Sequence, residues 1–328
     1  MPSHKSRGFG ALSRRNLLLA APAVLLGAHV PLRLDADSHA AAPAQMPSVI
    51  QRTVGDIKVT ALSDGFFALE HEVMQGIEKP DFDAMLTAAY KDPERNLTAV
   101  NAYLVEAGDV RALIDVGTGS AFGPTLGQLP ANLASVGIEP ADVTHILATH
   151  LHPDHIGGVV GDSALVLPNA ELVAAQADHD FFTSSAIKAQ APEQFQPFFD
   201  LATGAVGLFK DRFRLIDGEQ SVAPGITALP MPGHTPGHTG FMISSGSESL
   251  LIWGDIVHVP AVQFARPDVA IAFDTDVELA RASRAEVLDM AATDKVMIAG
   301  MHMPFPGFGY VETAASGYRF VPAPWDYF

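Results

Sequence analysis

Short hydrophobic runs alternate along the chain with longer stretches whose apolar residues follow a helical spacing. The short runs are rich in Val, Ile, Leu and Ala and favour strands, whereas the longer stretches favour helices. The predicted strands are residues 57–62, 99–106, 112–116, 145–148, 171–174, 226–229, 240–243, 250–253 and 296–298. The predicted helices are residues 124–136, 176–184, 192–209 and 276–291. Both halves of the chain show this alternation, which favours two β-sheets with helices packed outside them.

The first 42 residues show a different pattern. Basic residues and the pair Arg14-Arg15 precede an apolar run over residues 17–30, and small residues follow at 38–42. This order is typical of a twin-arginine export signal, with cleavage expected between residues 38 and 42. The apolar run is shorter than the roughly 20 residues of a membrane-spanning helix. We therefore expect transient contact with the twin-arginine translocation machinery, a periplasmic or secreted protein, and no stable membrane span after signal removal.

The composition of the chain is typical of a globular protein. The 328 residues are 48% hydrophobic and 17% charged, and residues 43–328 contain no repeat or low-complexity linker, which predicts one domain. There is no cysteine, so thiol nucleophiles and thiolate metal ligands are excluded. The net charge of -17 opposes a polyanion, so no nucleic-acid partner is expected.

Four residues that can bind a metal ion lie within six positions, 150–155, shortly after the strand predicted at 145–148. His150 and His152 are two apart, so in an extended segment both side chains point the same way. Pro153 suits the first turn of a helix, which would direct Asp154 and His155 toward a second ion beside the first. This density of donors indicates a metal centre.

Three further residues of ligand type each follow a predicted strand, next to glycines that allow close approach of the backbone. They are His234, Asp255 and His302. Five histidines and two aspartates can together hold two divalent metal ions, which we expect to be Zn²⁺, with Asp255 as the shared carboxylate.

In order and type, these seven residues resemble the ligands of the metallo-β-lactamase superfamily. Shorter motifs are similar to methyl parathion hydrolase and its lactonase and arylesterase relatives. These motifs are Ala-Leu-Ser-Asp-Gly at 61–65, Phe-Gly-Pro-Thr-Leu-Gly at 122–127, Ala-Val-Gln-Phe at 261–264, Pro-Phe-Pro-Gly at 304–307 and Gly-Tyr-Arg-Phe-Val-Pro at 317–322. The resemblance implies an α/β (α+β) fold, an αβ/βα four-layer sandwich with two central mixed β-sheets and helices outside. It also implies zinc-type ions and a homodimer. By analogy, one ion is held by His150, His152 and His234, the other by Asp154, His155 and His302, and Asp255 bridges them.

Such a centre is suited to hydrolysis. Two ions about 3.5–4 Å apart lower the pKa of a bridging water toward neutrality, and the hydroxide attacks a C=O or P=O group. The leading hypothesis is an exported metal-dependent hydrolase of a lactone or aryl ester, with catalytic roles for Asp154, Asp255 and His258. An organophosphate triester hydrolase is the alternative. A β-lactamase and a non-catalytic metal-binding protein are disfavoured.

The substrate pocket is predicted mainly from the resemblance. His258 lies three residues after Asp255 and could hydrogen-bond a substrate or leaving group, although a structural role is equally open. Ile271 and Phe273 are bulkier than the residues expected in organophosphate-specialised relatives, which favours a lactone or aryl ester. An aromatic wall for a small apolar or aromatic ester substrate is expected from Phe122, Phe182 and one of Phe195 or Phe198.

Three other residues have expected supporting roles. Asp115 either orients a ligand histidine or caps a turn. His238 is interpreted as stabilising a loop rather than as a ligand, since seven ligands suffice. His145 is interpreted as a packed, hydrogen-bonded core residue.

Overall fold

The computed structural model describes residues 48–120, 122–161 and 164–324, which fall within one unit, Leu34–Phe328. The predicted export signal lies outside the described residues and stays a prediction, as does the single domain at 43–328. No helix in the described ranges is long and apolar enough to span a bilayer.

The strands occupy most of the interior of the described chain. They are β1 (Val49–Val54), β2 (Ile57–Ala68), β3 (Met74–Gln75), β4 (Leu97–Ala107), β5 (Val110–Ile114), β6 (His145–Leu147), β7 (Glu171–Ala175), β8 (Phe213–Ile216), β9 (Gln220–Ala223), β10 (Ile226–Pro230), β11 (Thr239–Ser245), β12 (Glu248–Ile252), β13 (Ala270–Ile271), β14 (Met297–Ala299), β15 (Gly309–Thr313) and β16 (Tyr318–Pro322). Each of the nine predicted strands coincides with one of them. The other strands are short or lie toward the outside of a sheet, where half-exposed polar residues obscure the hydrophobic pattern.

Helices connect many of these strands. They are α1 (Lys79–Ala88), α2 (Leu129–Ser135), α3 (Pro153–Ile156), α4 (Gln176–Phe182), α5 (Ser185–Gln190), α6 (Gln196–Leu208), α7 (Pro260–Gln263) and α8 (Val277–Asp294). Short 3₁₀ turns cover His71–Val73, Pro93–Arg95, Pro140–Asp142, Gly157–Val159 and Glu193–Phe195.

The helix predicted at 124–136 begins later than expected, at Leu129. Residues before it bond to β2 instead: the Phe66 N–H donates to the Thr125 carbonyl at 3.1 Å, and the Gln128 N–H donates to the Asp64 carbonyl at 3.0 Å. Gly127 also has a φ of +78°, which a right-handed helix does not accept. Tertiary hydrogen bonds therefore replace the first turn of that helix.

The described strands form two mixed seven-stranded sheets, as predicted. One has the order β1-β2-β4-β5-β6-β7-β8 and is parallel from β5 onward. The other has the order β16-β15-β14-β12-β11-β10-β9, with a parallel pair between β12 and β14. A two-stranded sheet joins β3 to β13.

Alternation of side chains along the strands builds three apolar layers. In β4, Val105 packs between the two sheets, while its neighbour Leu104 packs under α2, α4 and α6. In β12, Leu250 faces the space between the sheets and Leu251 packs under α8. Because each inner strand is buried on both faces, the sheets are sandwiched between helical layers. This is the αβ/βα sandwich that the family resemblance implied.

Candidate metal centre

The ligand-type residues meet where several strands end at the same margin of the two sheets. His150 follows β6, His234 follows β10, Asp255 follows β12 and His302 follows β14. The backbone of the segment after β6 passes close to the backbone after β5: a Cβ on Gly158 would lie 1.8 Å from the Val116 carbonyl. The segment that follows β6 therefore requires glycine at this position.

Asp255 lies at the centre of the cluster. Its Oδ2 atom is 3.2 Å from Nε2 of His155 and 3.2 Å from Nε2 of His302. The same oxygen is 3.4 Å from Nε2 of His234 and 3.7 Å from Nε2 of His150. One carboxylate is thus shared by histidines of both expected ligand groups.

The remaining contacts divide the ligand-type residues into two groups on either side of Asp255. In the first, Nδ1 of His152 lies 2.9 Å from Nε2 of His150 and 3.1 Å from Nε2 of His234. In the second, Oδ2 of Asp154 lies 3.4 Å from Nε2 of both His155 and His302. Each group offers three donor atoms within 4.8 Å of one another, the arrangement expected for one ion per group.

Unsatisfied polar atoms support this interpretation. Nε2 of His155 and Oδ1 of Asp255 are buried and have no hydrogen-bond partner among the described residues. Buried polar atoms in native proteins are almost always paired, and a ligand is one explanation for an exception. Imidazole nitrogens and carboxylate oxygens suit zinc and similar divalent ions, so these residues fit a dinuclear centre.

Four of these groups have pKa values that leave lone pairs free for a metal. Burial lowers the pKa of His150 and His152 well below 6.5, and neighbouring histidines lower it further. Burial alone would raise the pKa of the aspartates. The adjoining histidines outweigh burial and hold the pKa of Asp154 and Asp255 well below 3.8.

The other three histidines hold protons in the absence of a metal. Burial disfavours their charged rings, but the surrounding carboxylates outweigh it. The pKa of His155 is raised well above 6.5, that of His234 to about 9 and that of His302 to about 10. A divalent cation would replace these protons, because it supplies positive charge at the same place.

Each of these three histidine rings is also oriented by a partner at its Nδ1 atom. Nδ1 of His155 lies 2.7 Å from Oδ2 of Asp115, which also accepts hydrogen bonds from Thr149. Nδ1 of His302 lies 2.8 Å from the Ala99 carbonyl. Such contacts place the proton on the rear nitrogen and leave Nε2 free to bind a metal.

Asp274 orients His234 in the same way, and the sequence did not point to it. Its Oδ1 atom lies 2.8 Å from Nδ1 of His234, and its Oδ2 atom accepts the Ile271 N–H at 3.1 Å. Asp274 lies two residues before Asp276, which caps the N-terminus of α8. A clue was its place directly after the Ile271 and Phe273 pocket segment.

Asp178 is a second residue that the sequence analysis missed. Its carboxylate accepts the N–H groups of Leu151 and Gly237 and the Thr235 hydroxyl, which joins the two loops that carry the first ligand group. Burial raises its pKa to about 6, although these three hydrogen bonds oppose the shift. The clue was its position four residues before Phe182, on the buried face of a helix.

His238 and His145 lie outside the ligand groups. Nδ1 of His238 lies 2.9 Å from the Met231 carbonyl, and its Nε2 atom accepts the Asp255 N–H at 2.8 Å. Both nitrogens are therefore occupied in holding loops. His145 is half-buried rather than in the core, and its Nδ1 atom lies 2.8 Å from the Thr144 hydroxyl.

A row of aromatic rings adjoins the first ligand group. The rings of Phe182 and Phe198 lie 5.5 and 5.7 Å from that of His152. Phe195 lies 5.7 Å from Phe198 and 6.0 Å from Phe273, so both alternatives for the aromatic wall belong to one row. Among the described residues no ring contact joins half-buried Phe122 to it.

Ile271 and His258 are both buried. Ile271 is buried and pairs with Met74 of β3. His258 is 2% exposed, and its ring stacks on that of His302 with 5.1 Å between centroids. Its Nε2 atom is 3.1 Å from Oδ2 of Asp255, and neither ring nitrogen makes a hydrogen bond among the described residues. Burial lowers the pKa of His258 to about 4, with Asp255 opposing the shift.

A cavity of about 630 Å³ reaches the centre from a different direction. It is lined by Phe66, Phe305, Phe320, Pro260 and His302, among others, and by none of the predicted pocket residues. It is therefore separate from the aromatic row.

Comparison with known proteins places this site in a family. The sequence profile of the Metallo-beta-lactamase superfamily matches residues 95–302, a range that includes all seven ligand-type residues. The chain belongs to this superfamily. Solved structures agree: a superfamily member named hydrolase AbOPH has a TM-score of 0.80 and 31% identity, with 86% of this chain and 99% of that chain covered.

Lactonases are also similar to this chain. AidC, a dizinc quorum-quenching lactonase solved with a product, has a TM-score of 0.80 and 28% identity, with 85% of this chain and 98% of that chain covered. An N-acyl homoserine lactonase of Bacillus sp. is 30% identical over 115 residues, 34% of this chain and 38% of the relative. The chain thus matches about two fifths of that relative's length.

Proposed function

We propose that the protein is a dinuclear metal-dependent hydrolase that cleaves lactones or aryl esters, with Zn²⁺ as its resident metal. The observation that carries this proposal is the central position of Asp255, whose Oδ2 atom lies within 3.2–3.7 Å of four ligand-type histidines from two groups. A carboxylate shared in this way suits two ions held side by side. A site built only to hold a single structural ion would need four ligands rather than seven.

A pair of divalent ions bound here would polarise an acyl C=O group and lower the pKa of a water molecule toward neutrality. The protein's own residues prepare the site for this chemistry. Asp154 and Asp255 stay deprotonated, since the histidines around them lower their pKa. His258 stays neutral near pH 7 and presents an unpaired ring nitrogen, which could donate a hydrogen bond to the carbonyl or the leaving oxygen.

The aromatic row supports an apolar acyl or aryl substrate. Half-buried Phe198 borders His152, so a flat substrate in contact with it would place its reacting group near the first ligand group. Phe182 is 2% exposed and supports this part of the row from the core. The similar lactonases add support from a different direction, because they combine this fold with cleavage of a cyclic ester.

The test compares kcat/KM of the zinc-loaded protein for a benzo-fused lactone, 4-nitrophenyl acetate and a dimethyl aryl phosphotriester. We expect the lactone or ester to be preferred by more than about a hundredfold, roughly 2.7 kcal/mol of transition-state discrimination. A chelator should abolish turnover and added Zn²⁺ should restore it. A phosphotriester preference would refute the substrate assignment, and turnover that survives complete metal removal would refute the mechanism.

His258 offers a sharper test of substrate choice. In the His258→Leu variant we expect the advantage of lactone and ester over phosphotriester to fall at least tenfold, because the hydrogen-bonding ring nitrogen is lost. His145→Leu is the matched control, since it removes a half-buried histidine that lies outside the ligand groups. Equal selectivity in both variants and the parent protein would exclude a substrate contact.

We also propose that the protein is exported through the twin-arginine route and acts as a homodimer in the periplasm or outside the cell. Arg14-Arg15 and the following apolar run support export, and the family resemblance supports the dimer. Sequencing of the exported protein should begin between residues 39 and 43, and Arg14→Lys with Arg15→Lys should block export. A start before residue 30 would refute cleavage, and sedimentation as a monomer would refute the dimer.

A further inference from the structure

Two buried polar side chains lie behind the metal centre without being ligands of it. Gln263 is on α7 and Arg284 is on α8, and they are 0% and 1% exposed. Burial of a guanidinium is costly unless its donors are satisfied, so the partners of Arg284 indicate what its burial stabilises.

Arg284 joins three segments that carry site residues. Its Nε atom donates to the carbonyl of Ile256, the residue directly after Asp255, at 2.7 Å. Its Nη1 atom donates to the carbonyls of Pro267 and Val269, each at 3.0 Å. Its Nη2 atom lies 3.8 Å from Oδ2 of Asp274, the carboxylate that orients His234. The charge of Arg284 is thus placed to hold Asp274 against His234.

Gln263 fixes the opposite end of the segment that follows Asp255. Its Oε1 atom accepts the N–H groups of His258 and Val259 at 2.7 and 3.0 Å. Its Nε2 atom donates to the Val269 carbonyl at 3.0 Å, the same carbonyl that Arg284 contacts. The two side chains therefore hold the Asp255 segment and the Val269 segment together.

We propose that Gln263 and Arg284 are positioning residues that form one clamp behind the metal centre. Arg284 sets the orientation of His234 through Asp274, and Gln263 sets the position of His258 through its backbone N–H. The effect of Gln263 on turnover rests on the proposed function. The effect of Arg284 on metal affinity does not, because it concerns only the ligand His234.

The first experiment measures zinc affinity by competition with a chromophoric chelator. We compare the parent protein with Arg284→Met, Asp274→Ala and the double variant. Arg281→Met is the control, because it removes an arginine of the same helix whose ion-pair partner, Glu278, is exposed. We expect Arg284→Met to weaken zinc binding by about 10- to 100-fold and Arg281→Met to change it less than twofold.

The double variant separates positioning from a general effect on folding. If Arg284 acts through Asp274, the double variant should bind zinc no more weakly than Asp274→Ala alone, within about twofold. Arg284→Gln removes the charge but keeps an N–H donor for the buried carbonyls, and it replaces Arg284→Met if that variant does not fold. Parent-like zinc affinity in the Arg284 variant, or losses that multiply in the double variant, would overturn the role of Arg284.

The second experiment tests Gln263 with 4-nitrophenyl acetate. Gln263→Glu keeps an acceptor oxygen for the His258 and Val259 N–H groups but loses the N–H donor to the Val269 carbonyl, whereas Gln263→Leu removes both. We expect at least a tenfold loss of kcat/KM in Gln263→Leu and recovery to within about threefold in Gln263→Glu, at equal zinc content. Equal losses in both variants would overturn the role of Gln263. If the zinc-loaded parent hydrolyses neither ester nor lactone, the proposed function fails, and the zinc affinities still decide the role of Arg284.

Discussion

Replacement of Asp115 by Asn tests how strongly the metal centre depends on the orientation of His155. Asp115 is buried, and its Oδ2 atom lies 2.7 Å from Nδ1 of His155 and accepts the Thr149 hydroxyl at 2.8 Å. Its Oδ1 atom accepts the Thr149 N–H at 2.8 Å. An aspartate therefore accepts hydrogen bonds at both oxygens.

An asparagine of the same shape cannot reproduce this arrangement in either orientation. If its NH₂ group faces His155, the ring must accept there, and its proton moves to Nε2, the atom that faces Asp154 and Asp255. If the NH₂ group is turned the other way, it meets the Thr149 N–H, and two donors face each other. The first orientation blocks metal binding and the second leaves a buried donor unpaired.

Both consequences have a size that can be measured. Loss of a partner that orients a metal ligand costs about 10- to 100-fold in affinity, or about 1.4–2.7 kcal/mol. An unpaired buried donor lowers the free energy of unfolding by about 1–3 kcal/mol. We therefore expect weaker zinc binding in a chelator competition and easier unfolding of the metal-free protein in urea.

Asp109→Asn provides the matched control, since it removes the same charge from an exposed turn. It should change neither quantity by more than about 0.5 kcal/mol. Parent-like zinc affinity in a folded Asp115→Asn variant would refute the argument that Asp115 sets the tautomer of His155.

The site and its supporting residues give four further predictions. The three histidines whose pKa is raised should release about three protons when zinc binds at pH 7. Calorimetry in buffers of different ionisation enthalpy measures this release, and its absence would contradict the charge assignment. In the metal-free protein, these protonated histidines should contribute fully to the free energy of unfolding below pH 6.5, and the contribution should be lost as pH rises through 9 and 10. Urea unfolding at a series of pH values measures this dependence, and a free energy of unfolding that stays constant over this range would contradict it. Phe182→Ala should raise KM for aryl substrates several-fold, and unchanged kinetics would argue against the aromatic row as a binding surface. Gly158→Ala should lower the free energy of unfolding by about 1–3 kcal/mol or more, because the added Cβ meets the Val116 carbonyl. Gly204→Ala, where a Cβ on α6 meets no other atom, should raise it by about 0.5–1 kcal/mol. Equal effects of the two substitutions would refute the close approach at Gly158.

Local sequence patterns determined the two mixed sheets. The nine strands predicted from the chain lie in the two sheets, since buried strands must be apolar on both faces and this leaves a strong signal. The short strand β13 and the outer strands β1 and β16 lack this signal. Their pairing with a neighbour, rather than their own composition, decides that they are strands.

The seven ligand-type residues were also recognisable in advance, because most of the information is local. Four of them lie within six positions, and the other three follow strong strands in loops next to glycine or proline. Strands that end at the same margin of the two sheets bring such loops together, and the structure places the seven residues in one cluster.

Only the tertiary structure decided which residues support that cluster. Asp178, Gln263, Asp274 and Arg284 contact partners that lie 3 to 59 residues away in the sequence. No local pattern indicated these contacts, although Gln263 belongs to the motif at 261–264 that carries the family resemblance. Their roles depend on which backbone groups remain unpaired after the sheets and helices have packed. A buried polar group must find a partner wherever the chain offers one. The sequence therefore determined the chemistry of the site, and packing decided how its ligands are held.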